Sequence, residues 1–164
     1  MQMFPMLARR LAALLLAMTI AVPALAADVA WQPLAALGAA DRATAERALA
    51  DLFGDNPEWW PDWLEPQAVL VPAHSDLLVV RAPLRAPCGQ YQFTVFGPAR
   101  ADGNRDPLGA PFCAGALTVV PVAGRDLPDL LFSEGRRQDP DSGGWQRDDQ
   151  RVRWTGRGWV RLLE

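Results

Sequence analysis

The sequence predicts an α+β domain, one amphipathic helix packed on a mainly antiparallel β-sheet of six or seven strands. Three observations predict it. From about Ala39 or Asp41 to Phe53, apolar side chains recur at helical spacing. From residue 67 onward, short runs rich in Val, Leu, Phe and Trp are bounded by Pro and Gly clusters, the texture of strands and turns. Between these regions lies a stretch with three Pro and three Trp in twelve residues, which suits a stiff connector or a short helical turn rather than a strand.

Ahead of the domain, Arg9-Arg10 precede an apolar run from Leu11 to Val22, then Pro23 and Ala24-Leu25-Ala26. A basic start, an apolar middle and an A-x-A ending predict a secretory signal peptide cut between Ala26 and Ala27. As a membrane span the run is short of the ~20 residues a bilayer needs, and Pro23 breaks it. With no Cys near the cut, no lipid anchor is indicated, and the expected location is periplasmic or secreted. The expected organisation is a signal peptide over 1–26 and a single domain over 27–164. That domain comprises a helix-and-connector part (27–66) and an antiparallel β part (67–164).

In the helix, Ala45, Ala48, Leu49, Leu52 and Phe53 share one face, while Arg42, Glu46, Arg47 and Asp51 share the other. Asp41 is the expected N-cap, Gly54 the expected C-terminal residue with positive φ, and Arg42 and Glu46 are spaced to pair. Expected strands cover 67–71, 76–84, 90–96, 116–122, 129–132, 150–154 and 159–163. Alternation of Tyr91, Phe93 and Val95 with Gln92 and Thr94 predicts one buried face. A hairpin turning about Gly156-Arg157 sets Trp154 opposite Trp159, both expected in the core, with Val160 and Leu162 giving the other face apolar contacts as well. Two connections, 97–112 and 133–149, are long for a compact domain.

Composition limits the chemistry. Every basic residue after the leader is Arg; the chain has no Lys, which excludes Schiff-base and lysine-nucleophile mechanisms. Acids outnumber bases and no segment is strongly basic, so no nucleic-acid footprint is present. Cys88 and Cys113 are the only cysteines, and in an exported chain they are expected to form a disulfide. Both precede an expected strand, so the intervening connection must fold back to bring them together, or the two strands are not simple neighbours.

No catalytic motif survives inspection. His74-Ser75-Asp76 are adjacent, and neighbours in an extended chain point to opposite sides, which prevents a triad relay. Asp102-Gly103-Asn104-Arg105-Asp106 and Asp139-Pro140-Asp141-Ser142-Gly143 begin like calcium loops. The first has Pro107 where the turning Gly belongs and Cys113 in the twelfth place, the second has Gln150 in the twelfth place instead of Glu, and both read as turns. No metal or cofactor is expected. Trp59, Trp60 and Trp63, flanked by Glu58, Asp62 and Glu65, are the candidate binding residues. They suit a protein interface, a sugar platform, or a cap on the end of the sheet.

The segments 124–132 and 153–160, with Pro128-Asp129-Leu130 followed by an aromatic-Gly-aromatic hairpin, resemble the tails of small secreted bacterial proteins. They are also faintly similar to FG-GAP blades, without the Asp series of that type. The resemblance implies export and a β-meander, and no activity. The expectation is therefore a non-catalytic module that binds a protein in the cell envelope, as an inhibitor, immunity factor or accessory subunit. Its alternative is a module that binds or cleaves cell-wall glycan.

Overall fold

The structure is a computed structural model describing residues 27–56, 58, 60–61, 64–71, 76–84, 90–139 and 141–163. The expected signal peptide thus lies outside the described residues. Among the described residues no helix is long and apolar enough to cross a membrane.

In chain order the elements are β1 (Ala27–Asp28), β2 (Gln32–Pro33), α1 (Ala39–Phe53), β3 (Gln67–Val71), β4 (Leu77–Leu84) and β5 (Gln90–Phe96). There follow β6 (Phe112–Ala114), β7 (Ala116–Val120), β8 (Asp129–Ser133), β9 (Arg136–Gln138), β10 (Trp145–Arg147), β11 (Gln150–Trp154) and β12 (Trp159–Leu162). All pairings are antiparallel. The expected single sheet is in fact two five-stranded sheets. One has the order β2-β3-β4-β5-β6, the other β1-β7-β8-β11-β12, and β9-β10 form a separate ribbon. Strand texture reveals apolar faces but not which strands share hydrogen bonds, so one sheet folded upon another was not distinguishable from one wide sheet.

The result is three layers. Val69, Val71, Leu77, Val79, Phe93 and Val95 of the first sheet pack face to face with Leu117, Val119, Leu130, Phe132 and Val152 of the second. On the opposite side of the first sheet, Ala68, Leu78, Val80, Ala82 and Phe96 receive Leu37, Ala45 and Leu49 from α1 and its approach. The first sheet is therefore buried on both faces. That explains why the first half of β4 reads Leu-Leu-Val-Val without a polar position: all four are at most 2% exposed. An aromatic chain closes the interlayer core, with Phe93 5.8 Å from Trp31 and 5.4 Å from Phe132, and Phe132 stacked 4.2 Å from Phe112. At its rim the Arg81 guanidinium lies 4.2 Å over the Trp31 ring and 4.7 Å over Tyr91.

Helix α1 has the expected span, but its start is Gly38 with no side-chain cap. Asp41 falls inside the first turn rather than at the cap, because the helix starts two residues earlier, and it takes part in an ion pair described below. Leu52 is 36% exposed rather than part of the buried face, which is made by Thr44, Ala45 and Leu49. Arg42 and Glu46 approach to 3.9 Å on the solvent side. Gly54 ends the helix at φ +90°, donating its N–H to the Ala50 carbonyl at 2.8 Å. Gly54→Ala should lower stability by about 1 kcal/mol through strain at that φ, although a Cβ there would meet nothing within 4 Å. Urea titration of the wild type and the variant checks this.

The connection after β5 folds back along it. Gly97 N–H donates to Asp106 O at 2.9 Å and Leu108 N–H to Val95 O at 2.7 Å, leading into β6, which pairs with β5 at Tyr91↔Ala114 and Phe93↔Phe112. Cys113 is thereby returned to the starting end of β5, opposite Gln92. Both arrangements that the cysteine spacing allowed are present: the connection folds back, and the strands expected at 90–96 and 116–122 lie in different sheets. The second long connection contains the β9–β10 ribbon, paired at Arg136↔Arg147.

Strands β3, β5 and β11 have their expected limits, while β7 and β12 stop at Val120 and Leu162. The terminal hairpin pairs Trp154 with Trp159 as expected, rings 5.3 Å apart. Both rings are half-buried rather than enclosed, Trp159 packing on the interlayer core while its indole N–H donates to the Leu108 carbonyl. Val160, expected in apolar contact, is 43% exposed because nothing described covers that face.

Candidate functional site

The connector does not present its described tryptophan to solvent. Trp60 is half-buried, donates its indole N–H to Gly54 O at 2.9 Å, and packs 6.4 Å from Phe53 against the helix-side core. Trp59, Trp63 and Asp62 lie outside the described residues, as do His74, Ser75 and Cys88; Glu58 and Glu65 are exposed.

The two Asp-rich segments fold as self-satisfied turns. Asp102 accepts the Asn104 N–H at 2.9 Å, and Arg100 bonds Asp106 at 3.0 Å. Asp139 accepts N–H groups from Asp141 and Ser142 and the side-chain amide of Gln146. Between Asn104 and Asp106, Arg105 turns inward and is 5% exposed. It bonds Asp41 at 2.7 Å, Asp76 at 3.1 Å and the Gly97 carbonyl at 3.0 Å, and also donates to the Asp76 carbonyl. One guanidinium thus ties the first turn of α1, the residue before β4 and the connection after β5. Asp76 belongs to this clamp rather than to a triad.

A different surface carries the unexplained chemistry: the outward face of the second sheet. Side chains on strands alternate, so residues one step from the interlayer core point away from it. On β7 and β8 these are Thr118, Val120, Asp129 and Leu131; on β11 and β12 they are Arg151, Arg153, Val160 and Leu162. The register sets Val120 beside Asp129, Leu131 beside Arg151, Arg151 beside Leu162 and Arg153 beside Val160. Outward faces of such sheets are ordinarily polar; here four aliphatic residues surround a charged triplet.

The triplet is rigid. Arg153 donates Nε at 2.7 Å and Nη2 at 2.8 Å to Asp129, and Arg151 donates Nε at 3.2 Å and Nη2 at 2.9 Å. Asp129 has no accessible surface, whereas the Arg151 and Arg153 side chains remain 32% and 31% exposed. The Arg153 hydrogen bonds, helped by Arg151 and opposed by burial, hold the Asp129 carboxyl below the usual carboxylate range. Two cations share one anion, which leaves a net positive patch on an acidic chain.

No family model, curated protein or solved structure matches the chain.

Two recesses complete the surface. One, about 290 Å³, runs between α1 and the connection after β5, past Ala48, Leu52, Gln92, Thr94 and Pro107. The other, about 460 Å³, opens beneath the β9–β10 ribbon beside Trp145. Among the described residues no group of three His, Cys, Asp or Glu is placed to hold a metal ion. Sequence reasoning passed over Asp129, Arg151 and Arg153. Their signal was the Arg-Val-Arg alternation within 150–154, which sends both arginines to the face opposite Val152.

Proposed function

We propose that the protein is an exported, non-catalytic module that binds another protein of the cell envelope through the outward face of the second sheet. The observation that carries this reading is the Asp129–Arg151–Arg153 triplet ringed by Val120, Leu131, Val160 and Leu162. A preorganised guanidinium pair inside an aliphatic ring is the composition of an interface centre. The partner it fits offers a carboxylate to the exposed parts of the two guanidinium groups and apolar side chains to the ring. The reading takes the leader to be cut between Ala26 and Ala27 and a Cys88–Cys113 bridge to fasten the start of β5 to β6. Each described recess counts a single carboxylate in its lining, Glu134 or Asp51, whereas glycoside hydrolysis uses two, which favours binding over cleavage.

The test uses a photo-crosslinking residue at position 160, with position 52 as control, in the mature protein added to envelope extract. The partner crosslinked from 160 alone is then purified and its affinity measured. Val160→Asp and Arg151→Gln should each weaken it at least about tenfold, and added salt should weaken it further. Unchanged affinity in both variants rejects the sheet face. Finding Met1 at the N-terminus of the native protein, or alkylation of both cysteines without reductant, rejects export or the bridge respectively.

A further inference from the structure

The recess beneath the ribbon has the makings of a ligand site distinct from the sheet face. Glu134 and Gly135 form its floor, Gln90 enters from the start of β5, and Arg136, Trp145 and Gln146 come from the ribbon. Its floor is held in place. Glu134 sits at φ +57° with its N–H bonded to Asp149 at 2.8 Å, and Gly135 has no room for a side chain, since a Cβ there would lie 2.3 Å from the Asp148 carbonyl oxygen. On the ribbon, Arg147 is held at 2.7 Å by Asp149. At about 460 Å³ the recess is in the range of small-molecule sites.

Three features of the lining define what fits. Trp145 is 56% exposed, a flat apolar face turned to solvent on a strand whose three residues are all exposed. Gln90 Oε1 is buried and accepts no hydrogen bond, the one such side-chain atom among the described residues. A buried acceptor left unmet is costly, so it calls for a donor, which a ligand supplies once the Gln90 amide turns toward the recess. Glu134 can only accept, while Arg136, which has no ion-pair partner among the described residues, can only donate.

A carboxylate or phosphate ligand would meet Arg136 but oppose Glu134 and leave Gln90 Oε1 unmet. An ammonium group would do the reverse. An apolar ligand would leave all three unmet. Adjacent hydroxyl groups donate and accept at once, and a pyranose ring also offers a C–H face to stack on an indole. We propose that this recess binds a neutral sugar unit, with Trp145 against the ring face, Gln90 and Glu134 accepting from hydroxyls, and Arg136 donating to them.

The experiment is titration of the isotope-labelled mature protein with glucose, galactose, mannose and N-acetylglucosamine, and separately with acetate, followed by NMR. The expected result is a saturable shift of the Trp145 indole and Gln90 side-chain amide signals with at least one sugar, at about millimolar affinity, and none with acetate. Trp145→Ala should abolish it and Trp145→Phe restore part of it. Both changes fall on an exposed position, so the fold should survive them. Arg136→Gln should weaken the same sugar at least about tenfold. If one of the four sugars binds more tightly as a disaccharide, a polymer is the natural source; equal binding points to the free sugar, and either outcome supports the site. Silence from all four sugars, or an equal response to acetate, overturns it. Neither result bears on the sheet-face reading, which depends on other residues.

Discussion

Phe93→Ala is expected to destabilise the protein by about 4 kcal/mol, lowering its melting temperature by roughly 10–15 °C. Phe93 has no accessible surface and lies in the layer between the two sheets, with Trp31, Tyr91 and Phe132 rings all within 6.3 Å. Removing its ring loses the transfer energy of the buried carbons and leaves a void. The opposing strands cannot collapse into it without breaking their register. Phe93→Leu should cost less, because most of the volume is kept. Calorimetry of both variants checks the ordering. Equal losses would mean that ring geometry, rather than volume, holds the layers.

Asp129→Ala is expected to cost about 3 kcal/mol at neutral pH, because it strands two guanidinium groups side by side without their shared anion. The sign of the pH dependence follows from the depressed carboxyl. Its folded value lies below the unfolded one, near 3.9, so its stabilisation is fully present above that unfolded value. It is lost as pH falls through the folded value. The gap between wild type and Asp129→Ala should therefore be constant from about pH 5 upward and narrow in stronger acid. Denaturant titrations across that window measure it. Replacing Arg151 and Arg153 by Met in the Asp129→Ala background should recover part of the loss, since the stranded charges go with them. A gap that stays unchanged on acidification would show that Asp129 acts by its shape and not its charge.

Much of the fold was legible because each layer writes its own period. Helix α1 was visible in the spacing of Ala45 and Leu49, β5 in the alternation of Tyr91, Phe93 and Val95, and the last hairpin in the placing of Trp154 and Trp159. The strands that escaped notice are short: β1, β2, β6, β9 and β10 have two or three residues each, too few to show a period. The division into two sheets was illegible for another reason. Which strand pairs with which is decided by long-range register, and a residue at the strand level reports only whether its face is covered. Asp41 departs from its local preference: the helix starts two residues before it, after an uncapped Gly38, and its carboxylate pairs with Arg105.

The candidate sites were least legible where the residues are ordinary. Tryptophan clustering drew attention to the connector, yet Trp60 spends its ring on Phe53 and its N–H on Gly54. Among the described tryptophans Trp145, isolated in a polar stretch, is the exposed one. Asp129 and its two arginines look like routine charge alternation until the strand register places them on one face.

The double burial of β4 carries a cost outside the native state. Leu77-Leu78-Val79-Val80 has no charge and high strand preference, so in the unfolded chain it is a seed for intermolecular stacking. The residues at its two ends are Asp76 and Arg81. In the native protein one anchors Arg105 and the other lies between Trp31 and Tyr91. Before folding, the same two charges bracket the window and discourage its self-association, as gatekeepers do. A substitution at either end would therefore act twice, loosening the finished structure and lowering the yield of soluble chain that reaches it.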